Sequence, residues 1–182
     1  MRRIAAVLLL LVAAGGAQAG ESARLQARPL YVEDFERTPL GKLPPGVLDN
    51  SGWTGSTVPM AVVDSGDRRY GKVVECRVSG YCQIVLGQVA LKQGRLYRVT
   101  ADIASRGAQT VTLILRHGPS PYTIYVSSIE KTNEEMHRFS FVGRAVNSAD
   151  PVLLMLLMNG HTTLQIDNIR IEEVTGALPA GA

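Results

Sequence analysis

Few residues of this chain combine a reactive or adhesive side chain with a loop setting. Trp53 follows Asp49-Asn50-Ser51-Gly52, a polar stretch with no alternating apolar pattern to draw the ring into a core. Tyr122 and Tyr125 lie in and after a proline-rich run, Pro119 to Pro121, and Arg116 and His117 lead into it. Aromatic rings in loops offer apolar faces on which the C–H faces of pyranose sugars stack, and polar side chains beside them pair with hydroxyls. The residue types therefore predict a ligand site drawn from Trp53, Tyr122, Tyr125, Arg116 and Asn159. The competing reading makes Trp53 a plug at one end of the fold and the tyrosines ordinary rim residues.

Catalytic chemistry is less well supplied. Glycoside hydrolysis needs two carboxylates about 5–9.5 Å apart, and no acidic pair stands at a distinctive position. Arg116, His117 and Tyr122 form a loose cluster of the kind lyases use, but three such residues meet easily by chance. No Gly-x-Ser-x-Gly elbow, phosphate loop or dinucleotide fingerprint occurs. His117, His137 and His161 lack the spacing of zinc ligands.

The elements that must position these side chains are strands. Tyr97, Val99, Ala101 and Ile103 recur at period two between Arg98, Thr100 and Asp102, the pattern of a half-buried strand. Val111, Leu113 and Leu115 repeat it, as do Phe139 and Phe141. Val58 to Asp64, Lys72 to Val78 and Tyr81 to Leu86 are β-branched-rich runs bounded by turn residues, and Thr163 to Val174 closes the series. No window carries a capped helical period, and Asn133 to Met136 reads as a loop. Many short antiparallel strands predict an all-β fold, a two-sheet antiparallel β-sandwich. One run departs from alternation: Pro151 to Met158 is apolar on both faces. A loop covers its outer face, or that face is an adhesive surface for an apolar partner, to which two methionines would suit it.

The first nineteen residues read as an address. Arg2 and Arg3 precede an apolar run, Ile4 to Ala14, too short to span a bilayer comfortably, and Ala17-Gln18-Ala19 offers a small-x-small cleavage site. The organisation is thus a signal peptide (1–19), a sandwich domain (20–174) and a loose tail (175–182), exported to the periplasm or beyond. No second apolar run is long enough for a membrane helix, so no membrane insertion is expected once the leader is removed. The 19 Lys and Arg residues less Arg2 and Arg3 leave 17 against 16 acidic ones. With no basic block, nucleic acid is not an expected partner. In an oxidising compartment Cys76 and Cys82 favour a disulfide across a hairpin turning at Val78-Ser79-Gly80; two free buried thiols are the alternative.

The order of several short motifs resembles that of a known family. Asp34-Phe35-Glu36, Gly41 and Pro44-Pro45-Gly46 look like the opening of jelly-roll carbohydrate-binding modules of the cellulose- and xylan-binding kind, a galactose-binding-like β-sandwich. Val73 to Val78 with Gly80, Tyr81 and Gln83, then Leu91, Gly94, Leu96 and Tyr97, resembles their middle, and Leu164 to Glu172, with its Ile-Asp-Asn-Ile core, their closing strand. The resemblance implies a jelly roll whose first and last strands are neighbours. It also implies a structural calcium ion between Glu36 and Asp167, completed by carbonyls near Thr38 and Gly41; otherwise Asp167 hydrogen-bonds a loop and Glu36 is solvated. In one place the chain departs from the family: Val47 stands where a tryptophan usually follows the Pro-x-Gly turn. Either an insertion carries Trp53 to that role, or Trp53 is unrelated to it.

Three functions compete. The first is an exported non-catalytic module that binds a polysaccharide or glycan. The second is a protein-interaction or structural component of the envelope that uses the apolar 151–158 strand. The third, least supported, is a small polysaccharide-degrading enzyme.

Overall fold

The computed structural model describes residues 26–175, so the leader lies outside the described residues, as does nearly all of the tail. In chain order the strands are β1 (Gln26–Glu33), β2 (Leu48–Asp49), β3 (Met60–Asp64), β4 (Lys72–Leu91), β5 (Leu96–Ser105), β6 (Gln109–His117), β7 (Ile124–Thr132), β8 (His137–Arg144) and β9 (Ala149–Thr175). All pairs are antiparallel, and a single 3-10 turn at Gly52–Thr54 is the one helical piece among the described residues.

Two long strands build both layers of the sandwich. In the first layer β9 (149–159) pairs with β4 (81–91) on one side and β6 on the other; β2 and β7 complete it. In the second layer β9 (160–175) pairs with β5 on one side, and with β4 (72–79) and then β1 on the other; β3 and β8 lie at its edges. The two strands change layer together at Gly80, which faces Gly160. Strands that switch sheets do so at bends. Gly80 stands at φ 128°, a conformation that a side chain disfavours.

This corner corrects the expected hairpin. Val78, Ser79 and Gly80 do not turn; they pair with Thr162, His161 and Gly160 in an unbroken ladder. Cys76 and Cys82 consequently lie on one strand instead of facing each other across two. Both are buried free thiols. In the same way, the runs at 151–158 and 163–174 are one strand.

The alternating residues meet as expected. Val99, Ala101 and Ile103 of β5, Val111, Leu113 and Leu115 of β6, and Tyr97 pack in one core with Leu154, Leu156, Leu164 and Ile166 of β9. Phe35 and Val47 join it, so Val47 fills core space and Trp53 is no part of that packing. First and last strands are neighbours, Glu33 opposite Ile169. On the open side Gly143 of β8 brings its backbone against Val126 of β7, where even one methyl would strike both valine methyls.

The outward face of the apolar run has its own packing. Met155 pairs with Val85 on one side and Ile114 on the other, and these three form a second small cluster with Leu153 and Leu157 against it. Met155 has 0% of its surface exposed. Of the run's methionines, Met158 faces the main core.

Candidate functional site

The outer face of the first layer gathers most of the sequence-predicted ligand residues. The start of the loop after β2 is pinned to β4 at Gln83. Asn50 N–H donates to the Gln83 carbonyl at 2.8 Å, and Gln83 N–H donates to Ser51 Oγ at 2.9 Å. The 3-10 turn thus held carries Trp53 over the sheet, and Gly55, left-handed at φ 76°, ends it. Trp53 Nε1 donates to Gln83 Oε1 at 3.3 Å, while Gln83 Nε2 donates to the Tyr81 hydroxyl at 3.0 Å. One amide therefore positions both rings, which meet edge to face with centroids 5.9 Å apart. Trp53 remains 70% exposed, so its faces are open to a ligand.

The β6–β7 loop forms the other wall. Tyr122 holds a left-handed backbone, φ 58°, and donates its N–H to the Pro119 carbonyl at 3.0 Å. That conformation costs a non-glycine residue on the order of 1 kcal/mol, a strain of the sort found at ligand-binding positions. The Arg116 guanidinium lies over the Tyr122 ring, 4.9 Å from its centroid. Asn50, Trp53, Gln83, Arg116, Gly118, Tyr122 and Leu153 line one cleft of about 470 Å³. In the register of the sheet, the row Val85–Met155–Ile114 lies between Gln83 and Arg116. The both-faces-apolar strand thereby gains a reason: its outward side underlies the cleft.

Of the five predicted ligand residues, Trp53, Arg116 and Tyr122 come together. Asn159 lies opposite Tyr81 and is exposed, but it does not line the cleft. Tyr125 is a correction: it is 9% exposed and packs in the main core. The register shift that leaves it unpaired between Ile124 and Val126 turns it inward beside Val126. Gln83, Asn50 and Leu153 of the cleft were missed, as was Tyr81 beside Trp53, and a polar Gln83 inside an otherwise apolar strand run was the signal available. A larger cleft, about 610 Å³, lies on the outer face of the second layer among Glu75, Arg77, Arg106, Glu134 and Gln165. No aromatic ring lines it, and Arg77 is spent on Glu75 at 3.1 Å, so it offers no stacking surface.

The residues expected around calcium are arranged otherwise. Lys72 opens β4 and places its Nζ on the carbonyls of Glu36 (2.9 Å) and Thr38 (3.0 Å), while its N–H donates to Glu36 Oε1 at 2.7 Å. Asp167 is 2% exposed and lies beside Asp102; the Asn168 amide donates to both carboxylates, at 3.0 and 2.9 Å. Arg138 grips Asp102 with two bonds of 2.8 Å. Asp167 Oδ1 is buried without a partner among the described residues. Burial, and then the carboxylates of Asp102, Glu36 and Asp34, push the Asp167 carboxyl up to about 7 against the pull of the Asn168 backbone. Among the described residues no three His, Cys, Asp or Glu side chains form a metal-holding group. As arranged, the carbonyls of residues 36 and 38 accept from the Lys72 ammonium, while the Glu36 and Asp167 carboxylates accept from different partners.

Comparison with known proteins bears on the architecture. No family model matches the chain, and no curated protein matches it significantly. Solved structures do. The chain is similar to a structure described as "CBM4 structure and function" (TM-score 0.55, 13% identity, covering 70% of this chain and 84% of that one). It is also similar to the CBM22-1 xylan-binding domain of Xyn10C from Paenibacillus barcinonensis (TM-score 0.61, 10% identity, 83% and 97%). The fold is that of the jelly-roll carbohydrate-binding modules. A third similarity, to the arabinose-bound MgGH51 α-L-arabinofuranosidase (TM-score 0.65, 10% identity), covers 82% of this chain but only 27% of that enzyme.

Proposed function

We propose that this chain is an exported, non-catalytic carbohydrate-binding module that holds a glycan in the first-layer cleft. The observation that carries the reading is that one cleft is lined at one end by Trp53, which the Gln83 amide positions together with Tyr81, and at the other by Arg116 stacked on Tyr122. Rings of this kind stack on sugar faces, and Asn50, Gln83 and Arg116 offer the polar complement. The cleft is lined by no carboxylate, which supports binding over hydrolysis. The similarity in fold to carbohydrate-binding modules supports the same reading, and the leader-like N-terminus supports export.

The test is retention on a panel of immobilised polysaccharides, with Trp53→Ala as the variant. A stacked indole contributes on the order of 1–2 kcal/mol, so binding should weaken about tenfold. Because Trp53 is largely exposed, the variant should melt within a few degrees of the parent. A folded variant that binds as well as the parent would remove Trp53 and this cleft from the reading.

A further inference from the structure

The chemistry around Arg116 narrows the class of glycan, given the reading of the cleft as a glycan site. Arg116 is the one charged side chain among the residues that line it. Arg28, Arg77, Arg98 and Arg138 each meet a carboxylate, whereas Arg116 has neither an ion pair nor a hydrogen bond among the described residues. Its Nε is buried and unpartnered. The two Nη groups of this half-buried side chain are likewise without a partner but are not buried, so the guanidinium has accessible donors to offer an acceptor. Tyr122 lies against the face of the guanidinium and leaves the edge, with its in-plane N–H groups, as the donor surface. A planar fork of donors matches a planar carboxylate, and a lone cation in a cleft without counter-charge selects an anion.

The two ends of the cleft divide the work. Gln83, which holds Trp53, faces Leu157, and Arg116 faces Leu153. Four residues along a strand span about 13 Å, longer than one sugar ring. We infer that the cleft takes an acidic polysaccharide: a uronic acid places its carboxylate on the edge of the Arg116 guanidinium while another sugar of the same chain stacks on Trp53.

Uronate oligosaccharides of the galacturonate, glucuronoxylan and alginate types, each beside its carboxyl-reduced counterpart of equal length, provide the test by titration calorimetry at low and at moderate salt. At least one acidic oligosaccharide should bind tenfold or more tightly than its reduced form, with an advantage that shrinks as salt rises. Arg116→Gln should bring the ratio of acidic to reduced affinity to about one, and Arg116→Lys, which keeps the charge but not the fork, should restore only part of it. Equal binding of every acidic and reduced pair overturns the inference while leaving glycan binding intact. No binding to any sugar overturns both. A sulfated galactan bound as tightly as the best uronate overturns the assignment to a carboxylate.

Discussion

Replacing Lys72 by methionine tests what ties the turn at 36–38 to the sandwich. The substitution keeps most of the apolar stem and removes the ammonium from two carbonyls at 2.9 and 3.0 Å. A hydrogen bond to a charged group contributes about 1.5–3 kcal/mol, and water replaces part of it here because Glu36 is exposed and Lys72 half-buried. A net loss of about 2 kcal/mol is the estimate, which for a domain of this size lowers the melting temperature by roughly 4–8 °C. The assay is thermal unfolding of parent and variant, each with chelator and with added calcium. The parent should be indifferent to both, since the carbonyls are already occupied by the protein's own cation. A parent whose melting temperature falls with chelator and recovers with calcium would refute the reasoning, because an ion bound only by the native state stabilises it by mass action.

Other expectations follow from single contacts. Gly143→Ala should destabilise by about 1–3 kcal/mol through collision with Val126, and Gly143→Ala with Val126→Ala together should recover much of that loss in a double-mutant cycle by chemical denaturation. Asp167, raised to about 7 in the folded state from an ordinary value near 3.8, makes the fold lose stability as pH rises between those values, by up to about 4 kcal/mol. Below that window both states hold the proton. Asp167→Asn should therefore equal the parent near pH 4 and exceed it at pH 8; a difference independent of pH would refute this. Burial raises the Cys82 thiol to about 11 and Cys76 higher still, so a thiol reagent should label neither in the native protein and both in denaturant, and reduction should leave the intact mass unchanged.

The strands were legible wherever one face is core and the other is water. β5, β6 and β8 announce themselves by alternation; Trp53 stood out because no alternation accounts for it, and Arg116 and Tyr122 because they flank the proline-rich run at 119–121. Three things were not legible. Ser79-Gly80 carries the same residues whether the chain turns or bends, and only its partners, His161 and Gly160, decide which. Tyr81 and Gln83 lie in a run that reads as core from its neighbours, yet their parity sends them outward, Gln83 into the cleft and Tyr81 against Trp53. Tyr125 was misassigned because the register shift between Leu115 and Arg116 sets where β7 starts counting, and no residue type marks that shift. The order of the resembling motifs carried the jelly roll better than any one element did, since it bears on which strands are neighbours.

The layer-switching strands have a consequence for how the chain comes into being. β9 is the last described strand to be synthesised, and it is hydrogen-bonded to β1, β4, β5 and β6. Before it emerges, the nascent chain holds only separate edges, such as β3 on β4, β6 on β7 and β5 on β8. Neither layer can close, and most of the contacts to come are distant in sequence, which makes folding late and slow. A chain that cannot commit to its fold until β9 exists stays open while the eight described strands before it are made.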